Sequence, residues 1–320
     1  MERGYRGGSV SARHLNDTAV LVTGGSGFLG RHVIAELVGQ GAKVVTVART
    51  EPNPTPEGTW VPAALRIAKE AQRCVADLRG LQCSRDAVVH LAGLSDASVC
   101  KEEPLRAFEH NVVTTANLLD AARRHDIPRF VLASTSYVYG DSSDHPFDES
   151  DPRAPASVYA NTKYQAEELV QTYRAHYGLR CDILRLSTLY GAGASRASAL
   201  GLALAQARHE KRIQLRDGSP VRDFLYVLDA ARILSNLRPH STDETCRTLN
   251  VGSGQPISLT EACQTLGRVA GLDASRVSFH RSGDPALRLT LNIGRLRCAY
   301  PAFRPTPLQV GLHESFTGTS

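Results

Sequence analysis

A tyrosine and a lysine four residues apart, Tyr159 and Lys163, are the pair in this sequence whose types and spacing could do chemistry. On a helix, residues four apart lie on one face, so the ammonium group would lie beside the phenol. A nearby positive charge favours the phenolate and lowers the pKa of the phenol. Such a tyrosine can exchange a proton with a substrate hydroxyl at neutral pH. The alternative is a chance pair on a solvent-facing helix.

A glycine-rich segment lies upstream of this pair, directly after a short apolar stretch. Gly24, Gly27 and Gly30 follow the spacing G-x-x-G-x-x-G, and residues 31–40 carry apolar side chains at helical spacing. Glycines at a strand-to-helix turn let the backbone approach a pyrophosphate, which the N-terminus of the helix then binds. The pattern predicts a dinucleotide site and, with it, oxidoreductase chemistry on a bound nicotinamide for the tyrosine and lysine.

The composition is that of an ordinary globular protein. The chain has 320 residues, of which 42% are hydrophobic and 22% charged, enough for one large domain or a domain with a lobe. Its net charge of +5 is modest, so no nucleic-acid partner is indicated. No apolar run approaches the roughly 20 residues that span a bilayer, and no signal peptide is evident, so we expect a cytoplasmic protein without a membrane partner. Seven cysteines without a Cys-x-x-Cys pair indicate neither a disulfide framework nor a metal site.

Short apolar strands alternate with helical segments along the first part of the chain. This alternation predicts an α/β fold with a Rossmann-type, doubly wound parallel sheet. The two longest helices are predicted at residues 106–125 and 159–177. The strands are predicted at residues 19–22, 43–48, 87–91, 130–133 and 181–186.

The same pattern predicts the domain boundaries. Residues 1–17, rich in Gly, Arg and Ser, are predicted to form a flexible tail. The dinucleotide-binding domain is predicted at residues 18–186 and 222–252. A smaller α/β substrate-binding lobe is predicted at residues 187–221 and 253–320. The lobe would close over the carboxyl edge of the sheet, where ligands of such folds bind.

The end of the second predicted strand bears on the choice of cofactor. In dinucleotide-binding folds an acid there binds the adenosine ribose, but here Ala48 is followed by Arg49. An arginine can instead face a 2′-phosphate, which favours NADP; a solvent-facing arginine is the alternative. Asp77, followed by Leu78, is predicted to come after the third strand and to bind the adenine amine, unless it is a plain loop residue. Since only about ten residues separate Asp77 from the next strand, a crossover helix there is expected to be short or missing.

Several ordered motifs resemble the extended short-chain dehydrogenases/reductases, in particular the NAD(P)-dependent nucleotide-sugar epimerase and dehydratase group. The likeness covers nearly the whole chain after the tail, and the ordered series is far more specific than any single motif. It includes a T-G-G-x-G-F-x-G turn, an S-S/T-x-x-V-Y-G segment and Y-x-x-x-K. The matching segments are residues 23–30, 90–93, 111–119, 134–140, 159–163, 185–191, 221–229, 250–254 and 281–284.

The resemblance implies roles for individual residues. Thr135 would hydrogen-bond the reacting sugar oxygen, Tyr159 would be the acid/base, and Lys163 would hold the nicotinamide ribose. Arg222 and Arg281 would bind the diphosphate of a sugar nucleotide through forked hydrogen bonds, unless they form surface ion pairs. The other implied cofactor contacts are Gly24, Gly27, Phe28, Leu29, Gly30, Leu91, Ala92 and Gly93, and the other implied substrate contacts are Ser95, Ser136, Tyr137 and Thr188.

Departures from the family pattern narrow the reaction. The family's dehydratases carry Asp-Glu directly after the catalytic threonine, and its decarboxylases carry a glutamate, where this chain has Ser136 and Tyr137. Elimination and decarboxylation are therefore disfavoured, and epimerisation or simple keto reduction remains. Thr188 replaces the usual asparagine, so we expect a different nucleotide pocket.

The leading prediction is an NAD(P)-dependent nucleotide-sugar epimerase that acts at C4 through a transient 4-keto sugar, with NAD as the cofactor that the resemblance implies. The alternative is a reductase that uses exchangeable NADPH on a 4-keto sugar or another small carbonyl. A third hypothesis, a nucleotide-sensing module without catalysis, predicts binding without hydride transfer. The resemblance also implies a nucleotide-diphosphate sugar as substrate and a homodimer formed through the two long helices.

Overall fold

The computed structural model describes residues 15–48, 59–140, 143–237, 246–280 and 287–318. Two residues with a predicted role, Arg49 and Arg281, lie outside the described residues. The strands are β1 (Thr18–Thr23), β2 (Lys43–Ala48), β3 (Thr59–Pro62), β4 (Arg85–His90), β5 (Phe130–Thr135), β6 (Cys181–Leu186), β7 (Thr188–Tyr190), β8 (Ile213–Leu215), β9 (Val221–Tyr226), β10 (Cys246–Val251), β11 (Pro256–Ser258), β12 (Val277–Phe279) and β13 (Arg288–Leu289). The α-helices are α1 (Phe28–Gly39), α2 (Ala68–Arg79), α3 (Ala97–Glu102), α4 (Pro104–Phe108), α5 (Thr114–Arg124), α6 (Val158–Tyr177), α7 (Ala199–His209), α8 (Val227–Leu234), α9 (Leu259–Val269), α10 (Gly294–Ala299) and α11 (Leu308–Thr317).

A seven-stranded parallel sheet forms the centre of the molecule. Its strands lie side by side in the order β10-β6-β5-β4-β1-β2-β3, and every neighbouring pair is parallel. The run from β3 to β6 has the strand order of doubly wound dinucleotide-binding sheets. The predicted fold class is therefore confirmed.

Helices cover both faces of this sheet. Successive residues of a strand point to opposite faces, so in β1 Val20 and Val22 join the core beneath α1 and α8, whereas Ala19 and Leu21 join the core beneath α2, α5 and α6. Because both faces are buried, the strands read as nearly continuous apolar runs. This is the feature that made them recognisable in the sequence.

The segment between β2 and β4 differs from the prediction. A four-residue strand, β3, precedes a full-length helix of 12 residues, α2, so no crossover helix is missing there. Asp77 and Leu78 lie in the last turn of this helix and do not follow a strand. The buried residues Ala71, Cys74 and Val75, with Leu78, recur at helical spacing, which is the sequence signal for α2.

The domain boundaries also need correction. Leu15 is buried and its backbone N–H donates to the carbonyl of Gln40 at 3.1 Å, so the ordered fold begins before Thr18. Strand β9 pairs with β7, β11 and β13 in a four-stranded second sheet. The chain therefore returns to the dinucleotide-binding domain with α8 at Val227, and not at Arg222. The second sheet packs with α7, α9 and α11 around a core of its own.

The long helix predicted at residues 106–125 is interrupted. Helix α4 passes into one wide π-helical turn, Glu109–Val113, before α5 begins. Such turns insert an extra residue and often mark functional sites. In this protein the wide turn contains Asn111, which contacts the catalytic region.

None of the described helices is long and apolar enough to cross a membrane. In the same residues, no three His, Cys, Asp or Glu side chains come together as a metal site would require. The cysteine side chains that the structure describes are free thiols, and all but Cys298 are buried.

Candidate active site

A cleft of about 950 Å³ opens at the carboxyl ends of β1, β2, β4 and β5. It lies where the strand order reverses between β1 and β4, the position at which doubly wound sheets bind ligands. The second lobe supplies one wall through Thr188, Ser195 and Ser198. The cleft thus joins both parts of the molecule.

The glycine turn after β1 forms one end of this cleft. Gly24 has φ +73°, and a Cβ on it would stand 2.8 Å from the backbone nitrogen of Ala92. A Cβ on Gly30 would collide with the carbonyl oxygen of Gly24. Helix α1 begins directly after Gly27, without a side-chain cap and without an acid in its first turn. Its free N–H groups and positive end therefore suit the pyrophosphate of a dinucleotide.

The predicted catalytic residues line the same cleft. Thr135 is the last residue of β5, and Tyr159 and Lys163 lie in the first turns of α6. Ser157 begins that helix by accepting a hydrogen bond from the N–H of Ala160 at 3.1 Å, which fixes where its first turn starts. Thr135 is among the groups that act on the pKa of Tyr159, and all three predicted residues line the cleft.

The pKa of Tyr159 is raised to about 12, contrary to the expectation that Lys163 lowers it. Burial is the largest cause because it penalises the phenolate. The hydrogen bond with Thr135 opposes this effect, and the neighbouring Tyr137 and Cys100 add to it. In the protein without its ligands, Tyr159 is therefore a neutral phenol at pH 7.

Lys163 is itself buried, and burial lowers its pKa to about 8, while the charge of Glu167 opposes the fall. Glu167 lies one turn further along α6 and is fully buried. Its carboxylate accepts hydrogen bonds from Ser134 Oγ at 2.5 Å and from Arg185 Nη2 at 2.8 Å. This carboxylate favours the ammonium form of Lys163, which is the main form below pH 8.

Asn111 ties the cofactor end of the cleft to the catalytic helix. Its Oδ1 accepts the N–H of Leu94 at 2.7 Å, and its Nδ2 donates to Leu94 O at 3.0 Å and to Thr162 Oγ1 at 2.8 Å. Thr162 in turn donates to the backbone carbonyl of Tyr159 at 2.8 Å. Residues 111–119 match a family motif in the sequence, but that match gave Asn111 no role, because the wide turn that aims its side chain inward has no local sequence pattern.

His90 is a second buried link, between β1, β4 and α5. Its ring nitrogens lie 2.7 Å from Thr23 Oγ1 and 3.0 Å from Thr115 Oγ1. Burial, helped by the charge of Lys163, lowers its pKa to about 3. His90 is thus neutral and holds the strand ends at the cleft in place.

Comparison with known proteins identifies the family. A sequence model of the NAD dependent epimerase/dehydratase family matches residues 20–252. The chain belongs to this family. Over 287 residues it is 28% identical to the UDP-glucose 4-epimerase of Halalkalibacterium halodurans, covering 84% of this chain and 85% of the relative. It is 30% identical over 251 residues to a putative UDP-glucose 4-epimerase of Methanocaldococcus jannaschii, and the match covers 76% of this chain and 79% of the relative.

The fold of the family is also found among solved structures. The crystal structure of the Thermus thermophilus UDP-glucose 4-epimerase in complex with NAD matches with a TM-score of 0.82 and 26% identity. The match covers 94% of this chain and 100% of that chain. The resemblance predicted from the sequence motifs is therefore confirmed.

Two residues that were predicted to bind the adenosine, Asp77 and Leu78, lie away from the cleft. Leu78 is fully buried in the core beneath the sheet, Asp77 is exposed on α2, and neither lines the cleft. Their predicted place at a strand end is wrong because both lie in α2, and the structure does not support their predicted contacts to the adenosine. The lining at this end comes from Val47, Ala48, Ala63, Ala64, Leu65 and Arg66.

Of the other predicted contacts within the described residues, two lie outside the cleft lining and the rest are part of it. Ser136 is buried and does not line the cleft, so its predicted substrate contact is not supported. Arg222 lies in β9 outside the lining, and its Nη1 donates to the carbonyls of Val221 and Leu287 at 3.0 Å each. The predicted residues that do line the cleft are Gly24, Gly27, Phe28, Leu29, Gly30, Leu91, Ala92, Gly93, Ser95, Thr135, Tyr137, Tyr159, Lys163 and Thr188.

Proposed function

We propose that the protein is an NAD-dependent 4-epimerase of UDP-hexoses, with the interconversion of UDP-glucose and UDP-galactose as its simplest reaction. The observation that carries the proposal is that Thr135, Tyr159 and Lys163 line one cleft, which begins at the glycine turn. The relatives named as UDP-glucose 4-epimerases support the nucleotide and the reaction.

The surroundings of Thr135 and Tyr159 argue against elimination, which needs a second acid or base. Ser136 is buried, and Tyr137 carries a phenol where dehydratases carry a carboxylate. Among the described residues that line the cleft, Asp96 is the one that carries a carboxylate. That carboxylate is already used at the start of α3, where it accepts hydrogen bonds from the N–H groups of Ser98 and Val99. Proton relay at one hydroxyl, as epimerisation requires, needs only the Thr135 and Tyr159 pair.

The close packing of the glycine turn and the uncapped start of α1 support the binding of a dinucleotide here. When bound, NAD supplies a reversible hydride acceptor and a positive charge that favours the phenolate. Tyr159 then takes the proton of the sugar 4-hydroxyl, directly or through Thr135, as C4 is oxidised to a ketone. After the keto sugar has turned over and C4 has regained its hydride, Tyr159 returns the proton to the C4 oxygen, so sugar and enzyme regain all their hydrogens.

Two groups are proposed to hold the ligands during this turnover. Lys163, with its ammonium held charged below pH 8, binds the nicotinamide ribose. The positive end of α7, which begins at Ser198 beside Ser195 in the cleft wall, favours the diphosphate of the sugar nucleotide. Anchoring the diphosphate remote from C4 leaves the sugar free to turn.

NADP is the second candidate cofactor, and with it an NADPH-dependent reductase is the second candidate function. The specific observation is at the adenosine end, where β2 ends in Ala48 and Arg66 lines the cleft. Neither side chain can accept hydrogen bonds from the ribose hydroxyls as an acid would, and a guanidinium suits a 2′-phosphate. Mass spectrometry of nucleotide released from freshly purified, denatured protein distinguishes the NAD-dependent epimerase from the NADPH-dependent reductase. Stoichiometric NAD supports the epimerase, and an empty site that takes up NADPH supports the reductase.

The reaction itself is tested by incubating the protein with UDP-glucose and following the appearance of UDP-galactose by proton NMR. Conversion without added reductant or oxidant is expected, since the hydride returns to the same sugar. Consumption of UDP-glucose only in step with added cofactor would contradict an epimerase. Binding of nucleotide with no chemical change to any UDP-hexose would instead support a sensing module.

We also propose that the protein forms a homodimer through α4 and α6, which pack against each other. Leu105 is 81% exposed and Phe108 is 41% exposed on α4, and Tyr177 at the end of α6 is 56% exposed. Exposed apolar side chains of this size commonly mark contact surfaces. A two-fold pairing of the same helices from two copies would cover them.

A further inference from the structure

The turn that follows β5 presents one side chain to the cleft. This turn, Ser136–Tyr139, is a single tight 3-10 turn. Ser136, Val138 and Tyr139 are buried beneath it. Tyr137 is half-buried and lines the cleft, so it is the residue of this turn that a ligand can touch.

The turn is held so that Tyr137 has little freedom to move. The N–H of Tyr137 donates to Thr135 Oγ1 at 3.3 Å, and its ring packs against the core under the sheet. Two residues further on, the hydroxyl of Tyr139 donates to Asn250 Oδ1 at 2.6 Å and accepts from Arg185 Nη1 at 2.7 Å. A fixed aromatic ring can set the shape of a pocket, because it cannot swing aside for a larger ligand at low cost.

Tyr137 lies near the catalytic pair. Two tyrosines, Tyr137 and Tyr159, are among the described residues that line the cleft. Thr135 lines the same cleft. Burial is the main reason that the pKa of Tyr159 is raised to about 12, and Tyr137 contributes to the rise, so the two phenols are within electrostatic reach. A sugar whose 4-hydroxyl contacts Tyr159 therefore has Tyr137 as a neighbour.

We propose that Tyr137 selects the sugar of the substrate, an inference that rests on the proposed function. Its hydroxyl hydrogen-bonds a hydroxyl of the hexose, and its ring limits the space in which the keto sugar turns over. Replacing a sugar hydroxyl by an acetamido group adds bulk that must pass this ring during the turn. The enzyme therefore prefers UDP-hexoses with free hydroxyls over their N-acetylated counterparts.

The hydrogen bond and the ring have separable effects. A neutral hydrogen bond is typically worth up to about tenfold in affinity. Because the hydroxyl contact exists before and during the reaction, its loss acts on KM and leaves kcat nearly unchanged. Removing the ring opens space, and steric discrimination of this kind is typically worth about tenfold or more between two substrates.

The experiment compares Tyr137→Phe and Tyr137→Ser with the wild type on UDP-glucose and UDP-N-acetylglucosamine. Tyr137→Phe is expected to raise KM for UDP-glucose up to about tenfold. Tyr137→Ser is expected to shift the ratio of kcat/KM values towards the N-acetylated sugar about tenfold. The control is Tyr164→Phe, at a tyrosine on α6 that lies outside the cleft lining and carries Arg153 over its ring at 4.6 Å; both kcat/KM values should stay within about twofold.

Thermal melting and bound-cofactor content check that each variant is folded, and Tyr137→Phe leaves the packing volume almost unchanged. The proposal is overturned if both variants keep the wild-type kcat/KM values and their ratio. It is also overturned if the wild type prefers the N-acetylated sugar. Turnover of UDP-glucose by the wild type tests the proposed function separately, so unchanged variants of an active enzyme contradict only the role of Tyr137.

Discussion

At the scale of single residues, burial governs the charges of Tyr159 and Lys163, the proposed acid/base and the lysine one turn away. It keeps Tyr159 protonated and makes the ammonium of Lys163 easier to deprotonate. The helical spacing that the sequence revealed brings the two side chains to one cleft, but it does not decide their protonation. A low-dielectric site disfavours the charged form of both groups.

Replacement of Tyr159 by phenylalanine tests the proton relay. Tyr159→Phe removes the hydroxyl that is proposed to exchange a proton with the substrate, so kcat should fall by roughly 10²–10⁴-fold. Dinucleotide affinity should change little, because the glycine turn and α1 are untouched. Steady-state kinetics measure kcat, and isothermal titration calorimetry measures the affinity for the dinucleotide. Full activity in this variant would rule out the mechanism.

The buried ammonium of Lys163 is expected to lower the free energy of unfolding at pH 7. Its pKa falls from 10.5 to about 8 on folding. Because each pH unit is worth about 1.4 kcal/mol, the ammonium costs the folded state about 3 kcal/mol at pH 7. The folded pKa is the lower one, so this cost is complete below pH 8 and fades as the pH rises towards 10.5. Lys163→Met should therefore be more stable than the wild type at pH 7 but inactive.

Urea unfolding at pH 7 and pH 10 measures this difference. The gain in the free energy of unfolding should shrink between the two pH values. The matched control is Lys69→Met, at an exposed lysine on α2, which should change stability little at either pH. An equal gain for Lys163→Met at both pH values would mean that packing, and not charge, is responsible.

At the scale of elements, the glycine turn and α1 act as one unit. Gly30 packs against the carbonyl of Gly24, whereas a Cβ on Gly39, in the last turn of the same helix, meets nothing within 4 Å. The two glycines therefore differ in what a methyl group would meet, although both lie in α1.

Alanine substitution at these two positions gives a matched pair. Gly30→Ala should push the turn out of place and weaken dinucleotide binding at least about tenfold, with loss of stability. Gly39→Ala should leave binding unchanged and add up to about 1 kcal/mol of stability, since alanine is the better helix former. Titration calorimetry and thermal melting of both variants test this, and equal dinucleotide affinities would show that the turn tolerates a side chain.

At the scale of the whole molecule, a second copy of the chain would cover the exposed apolar side chains of α4. Leu105→Glu combined with Phe108→Glu should convert the proposed dimer into a monomer, because two charges on each side of a two-fold contact repel and resist burial. Size-exclusion chromatography with light scattering measures the mass. Ile67→Glu, at an exposed apolar residue just before α2, is the control and should leave the mass unchanged. A wild-type protein that elutes as a monomer would refute the dimer.

The sequence by itself determined the features that depend on near neighbours along the chain. The strand, glycine turn and helix around Gly24, and the pairing of Tyr159 with Lys163, need only local spacing, because side-chain periodicity and turn geometry are local properties. The order of motifs also determined the family. Most of the site residues predicted in this way line the cleft.

Only the tertiary structure decided the features that depend on distant partners. Strand β3 has four residues and exists because β2 pairs with it, so local spacing alone predicts Asp77 at a strand end instead of in α2. The side chain of Asn111 finds its partners 17 and 51 residues away, and Ser136 and Tyr137 take opposite sides of one turn because of what packs beneath them. Burial, which arises from the assembled core, sets the protonation of Tyr159 and Lys163, and no local pattern encodes it.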